Sequence, residues 1–328
     1  MKTNRRRILA AAGIFLAVAF AAPVHAQDSY PNKPIHMILG FAPGGISDVL
    51  GRSLAQRLSS QLGQQVVVEN KPGAGGSIAA AYVASAAPDG YTIWLQDMTS
   101  HAINATMYSK LTYDSVNAFA PISLVAWTPL MLAVHPSQPT KTVPELIAFL
   151  KANPDKYSYG SAGNATPNHL AAEMMLKGAG LSKVVHIPYK GSAPTVQALL
   201  SNDVSFAFLS MPPAVANVNN GQLVGLAITS KTRVGAVPNV PTMIEAGLPG
   251  FEMVVYTGIL APAGTPRAII DRLNAEIAKA LVSEDVKAVY KNIGAEAITS
   301  TPEELRTQMA RDIATFAPML KASGAKID

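Results

Sequence analysis

Apolar positions along the chain follow two alternating rhythms. Short apolar, largely β-branched runs over 35–39, 66–68 and 92–95 predict strands. Between the first two, Ile46, Leu50, Leu54 and Leu58 recur every four residues and mark one face of a helix. Small, helix-compatible residues over 77–86 predict a second helix. The rhythm resumes with helices over 143–150, 169–176 and 196–200 and strands over 157–160, 184–187, 204–209 and 223–228. Strands alternating with helices of this length imply βαβ units and a mainly parallel sheet. Three helices close the chain, over 266–282 with Ile270, Leu273, Ile277 and Leu281 on its buried face, then 285–293 and 302–320. Thr142 with Glu145, Thr242 with Glu245 and Thr301 with Glu304 fit the capping box, in which hydroxyl and carboxylate satisfy each other's backbone N–H groups at a helix start. Pro266, after Thr265, suits a first helical position.

Two long apolar, extended segments, 124–135 and 254–262, stand where one βα series stops and another set of elements begins. A chain that passes from one lobe to a second and back needs two such crossings. The expected organisation is therefore α/β, with one lobe of 27–127 plus 257–328 and another of 128–256.

The N-terminus changes the totals. Lys2, Arg5, Arg6 and Arg7 precede an uncharged apolar stretch over 8–22, and Val24-His25-Ala26 forms a small-x-small cleavage site. This is the pattern of a secretory signal peptide cleaved after Ala26, and the stretch is shorter than the roughly 20 residues that span a bilayer. The three consecutive arginines leave a twin-arginine export route open beside the general one. Removing the segment leaves 22 basic against 21 acidic side chains, a net charge of +1. No basic patch remains to argue for nucleic acid. The chain has no cysteine, which excludes disulfides, thiolate chemistry and cysteine-ligated metal. The expectation is an exported, periplasmic protein.

Two strand–helix junctions carry the candidate chemistry. Gly40-Phe41-Ala42-Pro43-Gly44-Gly45-Ile46-Ser47-Asp48 lies between the first strand and the first helix. Adjacent glycines let the backbone approach a ligand, and the N–H groups of a helix start attract an anion. An ordinary turn with Ser47 or Asp48 as cap reads equally well. Tyr159-Gly160-Ser161-Ala162-Gly163-Asn164-Ala165-Thr166-Pro167 is the counterpart in the other lobe, with Thr166 as cap and Pro167 in the first turn. Facing each other, the two loops make a site for a carboxylate. Lys190 in a third junction would add a positive charge, although a lysine at such a place is usually solvated. The glycines of 73–77 match neither a phosphate loop nor a dinucleotide fingerprint and read as a turn.

Catalysis finds little support. His36, His101, His135, His169 and His186 show no H-x-x-x-H or H-E-x-x-H spacing, and Ser161 lies in G-S-A-G rather than a nucleophile elbow. Ser161 with His169 imitates a dyad only in passing. His36 and His186 fall within strands and are expected to be buried and hydrogen-bonded. No catalytic residue, metal or cofactor is expected.

With these residues in view, the chain resembles the Bug family, the TctC-like receptor components of tripartite tricarboxylate transporters, over essentially the whole mature sequence. The resemblance is carried by 41–48 (FAPGGISD), 67–76 (VVENKPGAGG), 89–91 (DGY), 118–122 (AFAPI), 159–169 (YGSAGNATPNH), 188–193 (PYKGSA), 239–250 (NVPTMIEAGLPG) and 258–265 (GILAPAGT). It implies a type II periplasmic-binding-protein fold with the ligand cleft between two lobes joined by crossing strands. It also implies a carboxylate held largely through backbone amides and bridging waters. The positions carried over are Phe41, Ala42, Gly44 and Gly45 from the first loop, Ser161, Ala162, Gly163, Ala165 and Thr166 from the second, and Thr99, Ser100 and Tyr256 lining the cleft. Many relatives have Asp-Asn where this chain has Leu209-Ser210, which suggests an apolar pocket end and an aromatic or aliphatic carboxylate rather than an amino acid. The implied role is a monomeric receptor that delivers its ligand to membrane transporter subunits. A sensor presenting its closed form to a signalling partner is the alternative.

Overall fold

The computed structural model describes residues 30–108, 110–153, 156–164 and 166–323. The signal peptide expected over 1–26, its cleavage site and Ala165 lie outside them.

The elements run β1 (Ile35–Leu39), α1 (Ile46–Leu62), β2 (Val66–Asn70), α2 (Ser77–Ala84), β3 (Thr92–Asp97), α3 (Met98–Met107), β4 (Phe119–Val134), α4 (Val143–Ala152), β5 (Ser158–Ser161), α5 (Pro167–Gly178), β6 (Val185–Pro188), α6 (Ser192–Leu200), β7 (Phe206–Ser210), α7 (Met211–Asn219), β8 (Val224–Ile228), β9 (Val254–Pro262), α8 (Arg267–Leu281), α9 (Glu284–Asn292), β10 (Glu296–Ala297) and α10 (Pro302–Ser323). Among the described residues the strands form one ten-stranded sheet in the order β2-β1-β3-β9-β4-β7-β5-β6, with β8 and β10 also pairing β4.

The expected parallel pairing holds at both flanks, where β1 runs parallel to β2 and β3, and β5 parallel to β6 and β7. The centre is antiparallel and belongs to the two long strands. From Phe119 to Pro129, β4 pairs with β9; from Leu130 to Val134 it pairs with β7 and β8. Thr229 pins this changeover. Its hydroxyl accepts the Leu130 N–H (2.8 Å) and donates to the Met253 carbonyl, while its own backbone bonds Leu130 and Met253. The first long strand begins at Phe119, five residues before the apolar run that announced it, because Pro121 and Ser123 interrupt that run.

Each end of the sheet has its own core. Ile38, Trp94, Phe119 and Leu260 pack with Leu305 and Met309 of α10. Leu132, Tyr159, Leu170 and Phe206 pack on one face of the other end, and Met131, Leu209, Val215 and Ile228 on its opposite face.

Three expectations change. Helices α3 and α7 were not foreseen: Met98 through Asn104 are all buried, so α3 shows no amphipathic rhythm, and Pro212-Pro213 read as breakers although a first helical turn tolerates proline. Thr242 and Glu245 make both capping-box bonds (3.0 and 2.7 Å), yet only a single turn follows before Gly247 at φ +94°. His36, on β1 between β2 and β3, is half-exposed on one face of the sheet and paired with Glu69, not buried.

Candidate functional site

The first loop is built around one carboxylate. Asp48, in the first turn of α1 and only 6 % exposed, reaches back to the Gly44 N–H (3.1 Å). It also accepts from Arg52 Nε (3.0 Å) and Asn70 Nδ2 (3.1 Å), and Asn70 bonds the Phe41 carbonyl as well. Burial alone would raise the Asp48 carboxyl, but the hydrogen bonds from Arg52, Gly44 and Asn70 hold it below the ordinary aspartate range. Gly44 takes φ +83°, which a side chain would resist, and Gly45 is the extended residue before the helix. Phe41, Ala42, Gly44 and Gly45 are therefore held in one turn by interactions that leave the α1 start facing outward.

The glycines of 73–76 serve the scaffold. A Cβ on Gly40 would stand 2.8 Å from Gln96 Oε1 and 2.9 Å from the Gly76 backbone, and one on Gly76 would stand 2.6 Å from Gln96 Nε2. This turn packs closely against Gly40, just after β1, and against Gln96.

The second loop is equally supported. Thr166 caps α5, its hydroxyl accepting the His169 N–H and donating to the Gly163 carbonyl (2.9 Å). The Tyr189 N–H bonds the Ser161 carbonyl (2.9 Å), the Gly191 N–H bonds that of Ala162 (3.1 Å), and Asn168 Nδ2 ties α5 to the Phe208 carbonyl (2.8 Å). Ser161 is fully buried, with Oγ 2.6 Å from His186 Nε2 and accepting the Gly163 N–H. Its histidine partner is thus His186, not His169, and the hydroxyl is enclosed within the loop. His186 stacks on His169 with ring centroids 4.0 Å apart, and burial lowers both to about 4. The uncharged pair forms the floor under the loop. Lys190 is exposed to solvent.

The structure brings the starts of α1 and α5 to one place. Ile46, Pro167 and Asn168 line a cavity of about 40 Å³ with Asp97, Ser210, Met211 and the strand residues Thr128, Pro129, Leu130 and Val255. The first N–H groups of a helix have no partner within it, so these starts concentrate positive potential on the cavity. The start of α7 contributes less, since Pro212 and Pro213 carry no N–H. Thr99 and Ser100 are buried in the first turn of α3, around its cap Asp97. Tyr256 is half-buried and points away from the face that Val255 and Thr257 share, because successive residues of β9 alternate.

Among the described residues, none of the expected site side chains lines this cavity, and most of its lining, Asp97 above all, escaped the sequence reading. Asp97 was passed over because it sits in the last position of an apolar strand, although Asp before a helix is a capping signal. Ser210 lines the cavity, whereas Leu209 is packed in the core opposite Met131. Leu209 itself is therefore not a lining residue; Ser210 is, beside Asp97 and the apolar Ile46, Leu130, Met211 and Val255. A larger, open groove of about 430 Å³ follows α10, but Glu303 and Glu304 occupy the helix start there and repel an anion.

The family model for the tripartite tricarboxylate transporter family receptor matches residues 50–324. BugT of Bordetella pertussis is 37% identical over 326 residues, 99% of each chain. Among solved structures, R. palustris Rpa4515 with adipate has a TM-score of 0.85 at 32% identity, covering 91% of this chain and 100% of that one. MatC from Rhodopseudomonas palustris with bound malate has a TM-score of 0.80 at 29% identity, covering 88% and 99%. The fold is that of the periplasmic binding proteins.

Proposed function

The chain belongs to the tripartite tricarboxylate transporter receptor family, and we propose that it captures a small organic carboxylate between the starts of α1 and α5 and delivers it to membrane transporter subunits. Receptors of this family are periplasmic, and the expected signal peptide accounts for export of this one. The observation that carries the reading is that the first residues of α1 and α5, Ile46 and Pro167-Asn168, line one cavity, while the loops before them are held by their own hydrogen bonds. Adipate and malate, bound to the two R. palustris relatives, are both dicarboxylates. The positions proposed to act here, through their backbone, are Phe41, Ala42, Gly44 and Gly45 of the first loop and Ser161, Ala162, Gly163, Ala165 and Thr166 of the second.

At about 40 Å³ the cavity admits only a few water-sized groups. A dicarboxylate enters when 27–127 plus 257–328 swings away from 128–256 about the long strands β4 and β9 that join them. The ligand's preference for the closed form then shifts the population back. Binding without turnover is the whole activity. Thermal-shift measurements on residues 27–328 test this against citrate, adipate, malate, aromatic carboxylates and acidic amino acids. A ligand at about 100 times its dissociation constant adds roughly 2.7 kcal/mol, a rise of about 5–10 °C. Stabilisation by a carboxylate supports the proposal; stabilisation by uncharged or cationic solutes alone contradicts it.

A further inference from the structure

The cavity holds a charge that an anion-binding site should not tolerate. Asp97 lines it and is only 8 % exposed, with its oxygens fixed by the Ser100 N–H (3.0 Å) and the Ser100 hydroxyl (2.6 Å). A second buried carboxylate stands behind it. Asp312 interrupts the apolar stripe Leu305, Met309, Phe316 on α10, the helix that packs on α3, and is likewise 8 % exposed. Gln308 donates to its Oδ1 (2.7 Å), but Oδ2 is buried without a partner. Thr257, the strand partner of Asp97, also has a buried hydroxyl without a hydrogen bond.

Burial lifts Asp97 to about 6 against its bonds from Ser100 and Thr99. Burial, and then the charge of Asp97, lift Asp312 to about 6 against Gln308 and Arg311. The other titratable groups near the pair are Tyr256 of β9, which feels Asp312, Arg311, Lys231 and Glu252, and His101 of α3, which burial keeps uncharged. Ile46, Asn168, Ser210 and Met211, facing the cavity from α1, α5 and the β7–α7 junction, carry no charge. Two ionised carboxylates do not share a desolvated site. A ligand carboxylate drawn to the helix starts therefore meets Asp97 only after one of them has taken a proton.

We propose that Asp97 meets the ligand as the neutral acid and donates its hydrogen to a ligand carboxylate, with Asp312 as the positioning residue that keeps the proton in the site. The receptor then takes one proton from solvent with each carboxylate it captures. This inference rests on the carboxylate-receptor reading above.

Calorimetric titration with adipate and with malate, in buffers of different ionisation enthalpy, counts the proton directly. Between about pH 6 and about pH 8 the wild-type affinity is expected to fall by roughly one to two orders of magnitude, with about one proton taken up at the upper pH. D97N, neutral throughout, should retain only the pH dependence that the probe itself brings. D312N should move the wild-type midpoint to lower pH. Pronounced weakening of D97N at both pH values, with a flat wild-type profile and no proton uptake, would overturn the proposal: Asp97 would then be an anion accepting from a ligand hydroxyl or ammonium. If neither probe binds wild type at either pH, the carboxylate reading fails and carries this inference with it, whereas binding without proton uptake removes the inference alone. A ligand-free measurement checks the pair independently. A carboxyl raised in the folded state stabilises least above its folded pKa, so the melting temperature of D312N relative to wild type should increase as pH rises through about 6. A constant difference would also overturn the proposal.

Discussion

Replacing Thr229 by valine removes one oxygen and keeps the shape of the side chain. Thr229 is fully buried where β4 passes from pairing with β9 to pairing with β7 and β8. Its hydroxyl serves the Leu130 N–H (2.8 Å) and the Met253 carbonyl, while two further backbone bonds at Thr229, to the Leu130 carbonyl (3.0 Å) and from the Met253 N–H (2.9 Å), survive the change. The valine variant therefore strands one buried donor and one buried acceptor without opening a cavity. An orphaned buried group costs about 1–3 kcal/mol, and the carbonyl, with a second lone pair, falls at the low end. The expected loss is about 2–4 kcal/mol, or roughly 4–16 °C in melting temperature for a chain of this size. Urea denaturation of residues 27–328 measures it, with Thr229→Ser as the control that keeps the hydroxyl and loses only a methyl group. If the valine variant lies within about 0.5 kcal/mol of wild type, or is more stable than the serine variant, Thr229 is not the pin assigned here.

Asp48→Asn places an amide where either the Gly44 N–H or Arg52 now finds a carboxylate oxygen, so it should lose about 2 kcal/mol in urea and weaken carboxylate binding in the thermal-shift assay. Gly76→Ala forces a Cβ to within 2.6 Å of Gln96 Nε2 at φ +95° and should cost about 2–4 kcal/mol; an alanine variant as stable as wild type would contradict the close packing of that turn. His169 and His186 are lowered to about 4 from 6.5, so the unfolded chain binds the extra protons: their contribution is complete above about 6.5 and is lost as pH falls toward 4. The stability difference between wild type and H169Q/H186Q should accordingly shrink over that interval, and a difference independent of pH would refute the assignment.

Much of the fold was legible because its elements keep clean rhythms. The i, i+4 leucines of α1, the apolar face of α8 and the short parallel strands all fall where the pattern put them. Legibility failed where burial was complete on every side, as in α3, and where local chemistry was satisfied without regular structure, as in the Thr242–Glu245 turn. Both loops were found because glycine and capping residues cluster at strand–helix junctions for a physical reason. That the helix starts after them, Ile46 and Pro167-Asn168, meet at one cavity was not legible, since it depends on how β4 passes from β9 to β7 and β8. Asp97 hid for the same reason: its strand position said core, and only the assembled helix starts place it on the cavity wall.

The central claim is that both helix starts hold one ligand carboxylate, and a crystal structure of residues 27–328 with the most stabilising carboxylate tests it most directly. The account predicts a carboxylate oxygen within about 3.2 Å of backbone N–H groups, or of a water they bind, at the start of α1 around Gly45–Ser47 and at the start of α5 around Asn168. A ligand seated in the α10 groove beside Arg311, or one held by side chains while both helix starts stay unengaged, would contradict it.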